Sequence, residues 1–421
     1  MYRLYFIIMI SMFSLLSKAQ MQEIKSERIA SLQVVAGQDW LEDPVIRLGG
    51  GQRINISFDE LTHDSHRYTY TITHCEPDWS DSEGLFTSDY ISGFQSGQTL
   101  DNYEKSINTN QLFTHYKLTI PNASCRILMS GNYRVDIIDE DEEEIVASAR
   151  FMVCEDLVNV VKDVSDNTDI DIQKSHQQVN IKVQFPSSLK CISPREQFKV
   201  AVIQNHRTDN MVWCPDAPQV TQNSMVWTHT HSLIFPAGNE YHTFEILDVH
   251  RNSLGVESIY WDGEWNNVHL YHDYPRRAYV YDEDANGSFY LRNTDNVEND
   301  IASEYVKVHF YLDTPQLPGD VYVDGRWANS IEREKYLMEY DNDEQCYHAV
   351  IKMKYGYYSY QYILESSREE TKKQAGKQPY SKTSLTEGDF FQTENQYLIL
   401  VYYKAPIDRT WRLVGINPQC H

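Results

Sequence analysis

Histidine, cysteine and carboxylate side chains that fall close together in this 421-residue chain are the first places where chemistry would be expected. His74-Cys75-Glu76, with His63 and His66 just upstream, offers imidazole and thiolate donors of the kind that hold zinc. Consecutive residues on a strand point to opposite faces, so His74 and Cys75 cannot share one ion without a bulge. His229 and His231 fall on one face of an expected strand, but no third ligand has a fixed place beside them. The acidic run from Asp139 to Glu144 has the oxygen atoms that calcium takes, yet it contains no glycine and no EF-hand spacing. The expectation for it is a solvated hairpin tip. A cysteine nucleophile needs a nearby base and a lowered pKa, and nothing identifies either. No nucleophile elbow, phosphate loop, His-Glu-x-x-His helix or Rossmann glycine pattern occurs. Paired carboxylates for glycoside hydrolysis depend on separation in space, so 61 acidic residues keep a hydrolase as a rival reading. The reading preferred is a non-enzymatic protein without catalytic residues, cofactor or essential metal.

The elements that carry these residues are strands almost throughout. Ile54, Ile56 and Phe58 alternate with polar residues, as do Val179, Ile181, Val183 and Phe185. Val306, Val308 and Phe310 oppose Tyr305, Lys307 and His309, and Tyr347, Ala349, Ile351 and Met353 alternate again. Thirty tyrosines and 13% aromatic residues suit pleated, half-buried surfaces. The fold class expected is therefore all-β, built of tandem immunoglobulin-like β-sandwich modules. Boundaries are expected near Glu155 and within the Asn- and Asp-rich spacer Asp295 to Asp300, giving a module at 20–155 that carries a long aromatic-rich insertion, and modules at 156–300 and 301–421. Ser366 to Lys382, rich in Lys, Glu, Gln and Ser, is expected to form a mobile loop between strands.

Arg3, the apolar run Leu4 to Leu16 and Ser17-Lys18-Ala19 follow the order of a secretory signal peptide over residues 1–19. Cleavage is expected between Ala19 and Gln20, and no cysteine follows that would carry a lipoprotein anchor. No other segment approaches the ~20 apolar residues of a spanning helix, so a soluble mature protein is expected, with no direct membrane insertion. Acidic residues outnumber basic ones 61 to 37, and the net charge of −24 argues against nucleic acid and against anionic lipid headgroups. Seven cysteines permit a disulfide such as Cys75 with Cys125, but spacing alone does not assign one.

A dense series of landmarks runs from Phe58 to Val135: Phe58-Asp59-Glu60-Leu61, Tyr68 to Cys75, Asp78-Trp79-Ser80, Ser88 to Phe94, Asn102 to Ser106, Phe113 to Asn122 and Ser130-Gly131-Asn132-Tyr133. Further on come Ala149 to Val153, Ser193 to Glu196, Val202 to Asn205, Pro275 to Tyr279, Asn286-Gly287, Thr393 to Tyr397 and Val401-Tyr402-Tyr403. In this order the pattern resembles the plug protein family of the Bacteroidetes type IX secretion system, over essentially the whole mature chain. It departs from the family at His242, where Arg is expected, and at Trp411, where an acidic residue is expected.

The resemblance implies a periplasmic plug held at the inner face of the outer membrane. Its partner would be the giant β-barrel translocon, closed by occupancy rather than by bond chemistry. Trp79, Phe94, Trp327, Tyr357 and Tyr358 are the candidate partner contacts. The C-terminal module, with Gly319 to Trp327 and Gly356 to Tyr360, looks like the early-set sandwich of glycogen-binding modules. A periplasmic carbohydrate-binding protein using an exposed Trp327 face is therefore the alternative.

Overall fold

The computed structural model describes residues 21–64, 66–365 and 382–418. The expected signal peptide with its Ala19–Gln20 cleavage site, and nearly all of the expected loop at 366–382, lie outside the described residues. Among those described, strands pair into seven sheets and each helix is a single turn of three or four residues. Six of the sheets stack in pairs as three β-sandwiches, the fold class that the alternation implies.

In the first sandwich one sheet runs Glu23–Ile24, Glu144–Cys154, Gly131–Asp139, Tyr68–Cys75, Ser96–Thr99, with Val45–Arg47 added in parallel. The facing sheet runs Ile29–Ala36, Ile54–Glu60, Thr114–Ile120, Tyr103–Lys105. Period-two alternation sends Ile54, Ile56 and Phe58 from one sheet against Tyr68, Ile72, Tyr133 and Phe151 from the other. Phe58 stacks on Tyr116 with ring centroids 5.2 Å apart, and Tyr133 on Phe151 at 5.3 Å. The aromatic-rich insertion is a single helical turn, Thr87–Tyr90, followed by the small hairpin-like pair Ile91–Gly93 with Cys125–Ile127. Tyr90 and Ile91 plug it into the core. Gly131 explains one landmark directly. Its φ is +142°, and a Cβ there would stand 2.4 Å from Nε2 of the buried His74.

The second and third sandwiches are not successive in sequence, which departs from the boundary expected near residue 300. One sheet of the second sandwich contains Asn159–Ser165, His176–Gln184 and Ser224–Trp227. Its partner runs Arg207–Trp213, Phe198–Gln204, Tyr397–Tyr403, Arg412–Asn417, so its last two strands come from the end of the chain. The third sandwich is inserted between them. It already begins at His242–Ile246, which pairs with Gly356–Glu365. Its other sheet runs Val256–Trp261, Asn266–Leu270, Tyr305–Asp313, Cys346–Lys354, Glu339–Asp341. A cut near 300 would part Phe244 and Val268 from Val306 and Phe310, which share one core.

Tyr397–Tyr403 shows why the insertion escapes period-two reading: every residue in it is buried. Tyr397, Ile399, Val401 and Tyr403 face the core of the second sandwich. Leu398, Leu400 and Tyr402 face outward into a further apolar cluster with Val45, Met152 and Cys154 of the first. A strand apolar on both faces marks a sheet covered on both sides. Here the second cover is another module.

Candidate functional site

The five candidate contacts separate by burial. Trp327 is only 8% exposed, stacks near Phe310 and donates its indole N–H to the Ser359 carbonyl at 3.1 Å. Tyr358 is 2% exposed and donates its hydroxyl to the Lys354 carbonyl at 2.6 Å. Both are core residues of the third sandwich, so neither is a surface contact, and the carbohydrate reading loses the flat exposed ring it needs. Tyr357 is half-buried and meets Trp40 edge-on at 6.0 Å, and its cross-strand neighbour Tyr290 lies 5.4 Å from the same ring. Trp79, held at φ +68° in a tight turn, is half-buried against the apolar cluster joining the first two sandwiches, with the Arg150 guanidinium 5.9 Å from its ring. These two rings join modules of this chain. Phe94 alone stands open, 60% exposed beside the insertion.

The joints between modules are polar as well as apolar. Asp59 of the first sandwich accepts from Lys354 Nζ at 2.7 Å, Tyr305 hydroxyl at 2.6 Å and His115 Nδ1 at 2.6 Å. Burial by itself would raise the Asp59 carboxyl, but Lys354 and His115 outweigh it and hold it below the usual carboxylate range. Nearby, Ile107 N–H reaches the Ile301 carbonyl and Gln111 N–H reaches Glu304, each at 3.0 Å. Where all three sandwiches meet, Arg326 donates to the Leu41 and Glu42 carbonyls at 3.1 Å, while His206 Nδ1 pairs with Asp43 at 2.9 Å. A cavity of about 160 Å³ lies there, lined among others by Trp40, Asp43, Arg207, Asp209, Tyr241 and Arg326. Charged side chains of both signs stand among its lining residues, Asp43 and Asp209 with Arg207 and Arg326.

The residues first suspected of chemistry have structural partners. His74 is buried with Nδ1 2.9 Å from Ser82 Oγ and Nε2 3.2 Å from the Ser130 carbonyl, and burial lowers its pKa. His229 and His231 do not share a strand face. The strand ends at Trp227, His229 has φ +53° and pairs with Asp169, and His231 opens a 3₁₀ turn. In the acidic run, Asp139 closes the turn by accepting from the backbone N–H of Asp141 and Glu142, and Arg28 bridges Asp139 and Glu142. Cys75 and Cys125 are not joined to each other and both are free thiols.

The two departures from the family pattern are engaged as well. His242 lies between Asp273 and Glu387, 3.0 Å from each, and Trp411 lies 4.6 Å from the Lys199 ammonium.

A surface that the sequence reading passed over lies on the third sandwich. Val256–Trp261 is the edge strand of its sheet, and one of its sides has no strand partner among the described residues. Tyr260 and Trp261 at its end are about half exposed, and Tyr271, Tyr274 and Tyr281 follow, each about 60% exposed. The available signal was Tyr260-Trp261 itself. Two adjacent large rings on a strand cannot both face a core.

Comparison with known proteins sets this geometry in a family. Residues 29–155, the first sandwich without its leading strand, match the type 9 secretion system plug protein 1st domain. The crystal structure of a hypothetical protein from Parabacteroides merdae is 35% identical, covers 95% of this chain and 98% of that one, and superposes with a TM-score of 0.88. Dimeric latent PorU from Porphyromonas gingivalis aligns at 8% identity over 94% of this chain and 34% of that one, with a TM-score of 0.13 that carries no argument. No curated protein matches the chain. With its first sandwich matched and its whole length shared with a solved relative, the chain belongs to the type 9 secretion system plug protein family.

Proposed function

We propose that this protein is a non-enzymatic periplasmic plug that binds and occludes the outer-membrane β-barrel translocon of the type IX secretion system. The observation that carries the reading is the match of residues 29–155 to the plug family's first domain. A barrel wide enough for folded cargo has an aqueous lumen that leaks unless a body fills its mouth. Occlusion asks of that body size and rigidity rather than reactive groups. Three sandwiches tied by a shared apolar cluster and by the Asp59–Lys354 pair suit that demand. The exposed rings of Tyr260, Trp261 and Phe94 are the contacts favoured for the barrel, since aromatic residues are enriched in interfaces. Among the described residues no helix is long and apolar enough to cross a membrane, which fits a body that docks on the barrel.

Deleting the gene tests the reading. Permeability to large antibiotics that normally stay outside should rise, and it should return to normal when the barrel is deleted too. Unchanged permeability in the single mutant, with the barrel present and assembled, would remove the proposal.

A further inference from the structure

We propose that His272, Asp313 and Cys346 form a site for a borderline divalent transition metal, with Zn²⁺ the ion their donor atoms fit. One ligand atom from each, a ring nitrogen, a carboxylate oxygen and the sulfur, lies within 4.8 Å of the other two. That set of N, O and S donors is the one zinc takes, whereas calcium and magnesium take oxygen alone.

The sheet itself sets the geometry. Asp313 ends the strand Tyr305–Asp313, and Cys346 stands directly opposite it in the antiparallel register. His272 follows the neighbouring strand, whose continuation is fixed by Asp273 N–H to the Tyr311 carbonyl at 3.0 Å and Asp313 N–H to the Asp273 carbonyl at 2.8 Å. The ligands therefore sit on three adjacent extended segments, which hold a site more firmly than loops do. Tyr311 lies flat on the His272 ring, centroids 4.3 Å apart and planes 2° from parallel, and so fixes its orientation.

Without a cation, protons take its place. His272 Nδ1 stands 2.9 Å from Asp313 Oδ1, and the Cys346 thiol donates to the Tyr347 carbonyl at 3.2 Å. Burial, with Asp313 adding to it, pushes the thiol up to about 12, so the sulfur keeps its proton at neutral pH. A divalent ion would displace that proton to solvent. The thiol proton is the one released as the ion binds. Cys346 is buried while His272 is exposed, so the fourth position faces water.

The test uses the full mature chain stripped with a chelator. Zn²⁺ should bind one per chain with a Kd below about 1 µM and release about one proton, read by calorimetry in two buffers. Co²⁺ should give a thiolate charge-transfer band in the near ultraviolet. Cys346→Ser should abolish the band, and His272→Gln, at an exposed position, should weaken binding about tenfold or more. No stoichiometric binding by the folded chain would overturn the proposal. So would binding that survives both variants, or that is lost only when the neighbouring His348 is changed to Gln.

Discussion

Lys354 and Asp59 lie 295 positions apart and meet at 2.7 Å with both side chains shut off from solvent. One belongs to the third sandwich and the other to the first, so the pair staples two modules through a buried contact. The Lys354 ammonium also lies 4.0 Å from the Phe113 ring. Removing Lys354 leaves the buried Asp59 carboxylate with only Tyr305 and His115 beside it, and breaking such a buried pair costs about 3–5 kcal/mol. Lys354→Met should therefore lower stability by that order in urea unfolding. Lys354→Met with Asp59→Asn should recover much of it, because neither charge then remains. A double variant no better than the single one would refute the staple.

His242 gives a pH dependence with a definite sign. Burial by itself would lower its pKa, but Asp273 and Glu387 outweigh burial and raise it to about 9. A folded pKa above the unfolded value of about 6.5 means stability is fully present below ~6.5 and is lost as pH rises through about 9. The loss is on the order of 3 kcal/mol over that window. Asp284 acts lower, because burial raises its carboxyl to about 6, and its contribution fades between ~4 and about 6. Stability measured from pH 6.5 to 9.5 should fall in the native chain and stay flatter in His242→Gln. Equal slopes would show that His242 is not the titrating group.

Trp327 is a packing residue, and its truncation reports on the core. The ring touches Phe310, Tyr336 and Tyr358, and a Cβ on Gly325 would stand 2.4 Å from its indole nitrogen. Trp327→Ala should cost about 3–5 kcal/mol. Thermal unfolding would show it as a large drop in midpoint. A stable variant that had lost affinity for a polysaccharide would instead restore the carbohydrate reading.

Where one face of a strand is solvated, the sequence alone reveals it: Ile54–Glu60 and Tyr305–Asp313 stand where their alternation puts them. The insertion of the third sandwich into the second could not be read in this way. Val200 pairs with Val401 across that whole module, and nothing local to either strand encodes the partner. Trp327 and Trp261 illustrate the same limit for surfaces. Both are tryptophans beside a strand and an Asp-Gly pair, Asp324-Gly325 before one and Asp262-Gly263 after the other. Trp327 is core because Phe310, Tyr336 and Tyr358 surround it, and Trp261 is exposed at the end of an edge strand.

Trp261 and Tyr260 offer the sharpest test of how a plug would hold its barrel. They end an edge strand whose outer side has no strand partner among the described residues, so rings and strand edge are presented together. A barrel mouth could engage such an edge by adding a strand, with the rings anchoring the contact. Tyr260→Ser with Trp261→Ser removes exposed surface, and the folded chain should lose no more than about 1 kcal/mol. Capture of the barrel by a tagged copy from native outer membranes should fall sharply, and the deletion's antibiotic leak should return in cells carrying only this variant. Phe94→Ser serves as the comparison on the first sandwich. If it abolishes capture while the double variant binds normally, the contact belongs to the insertion and the edge strand is free of the barrel.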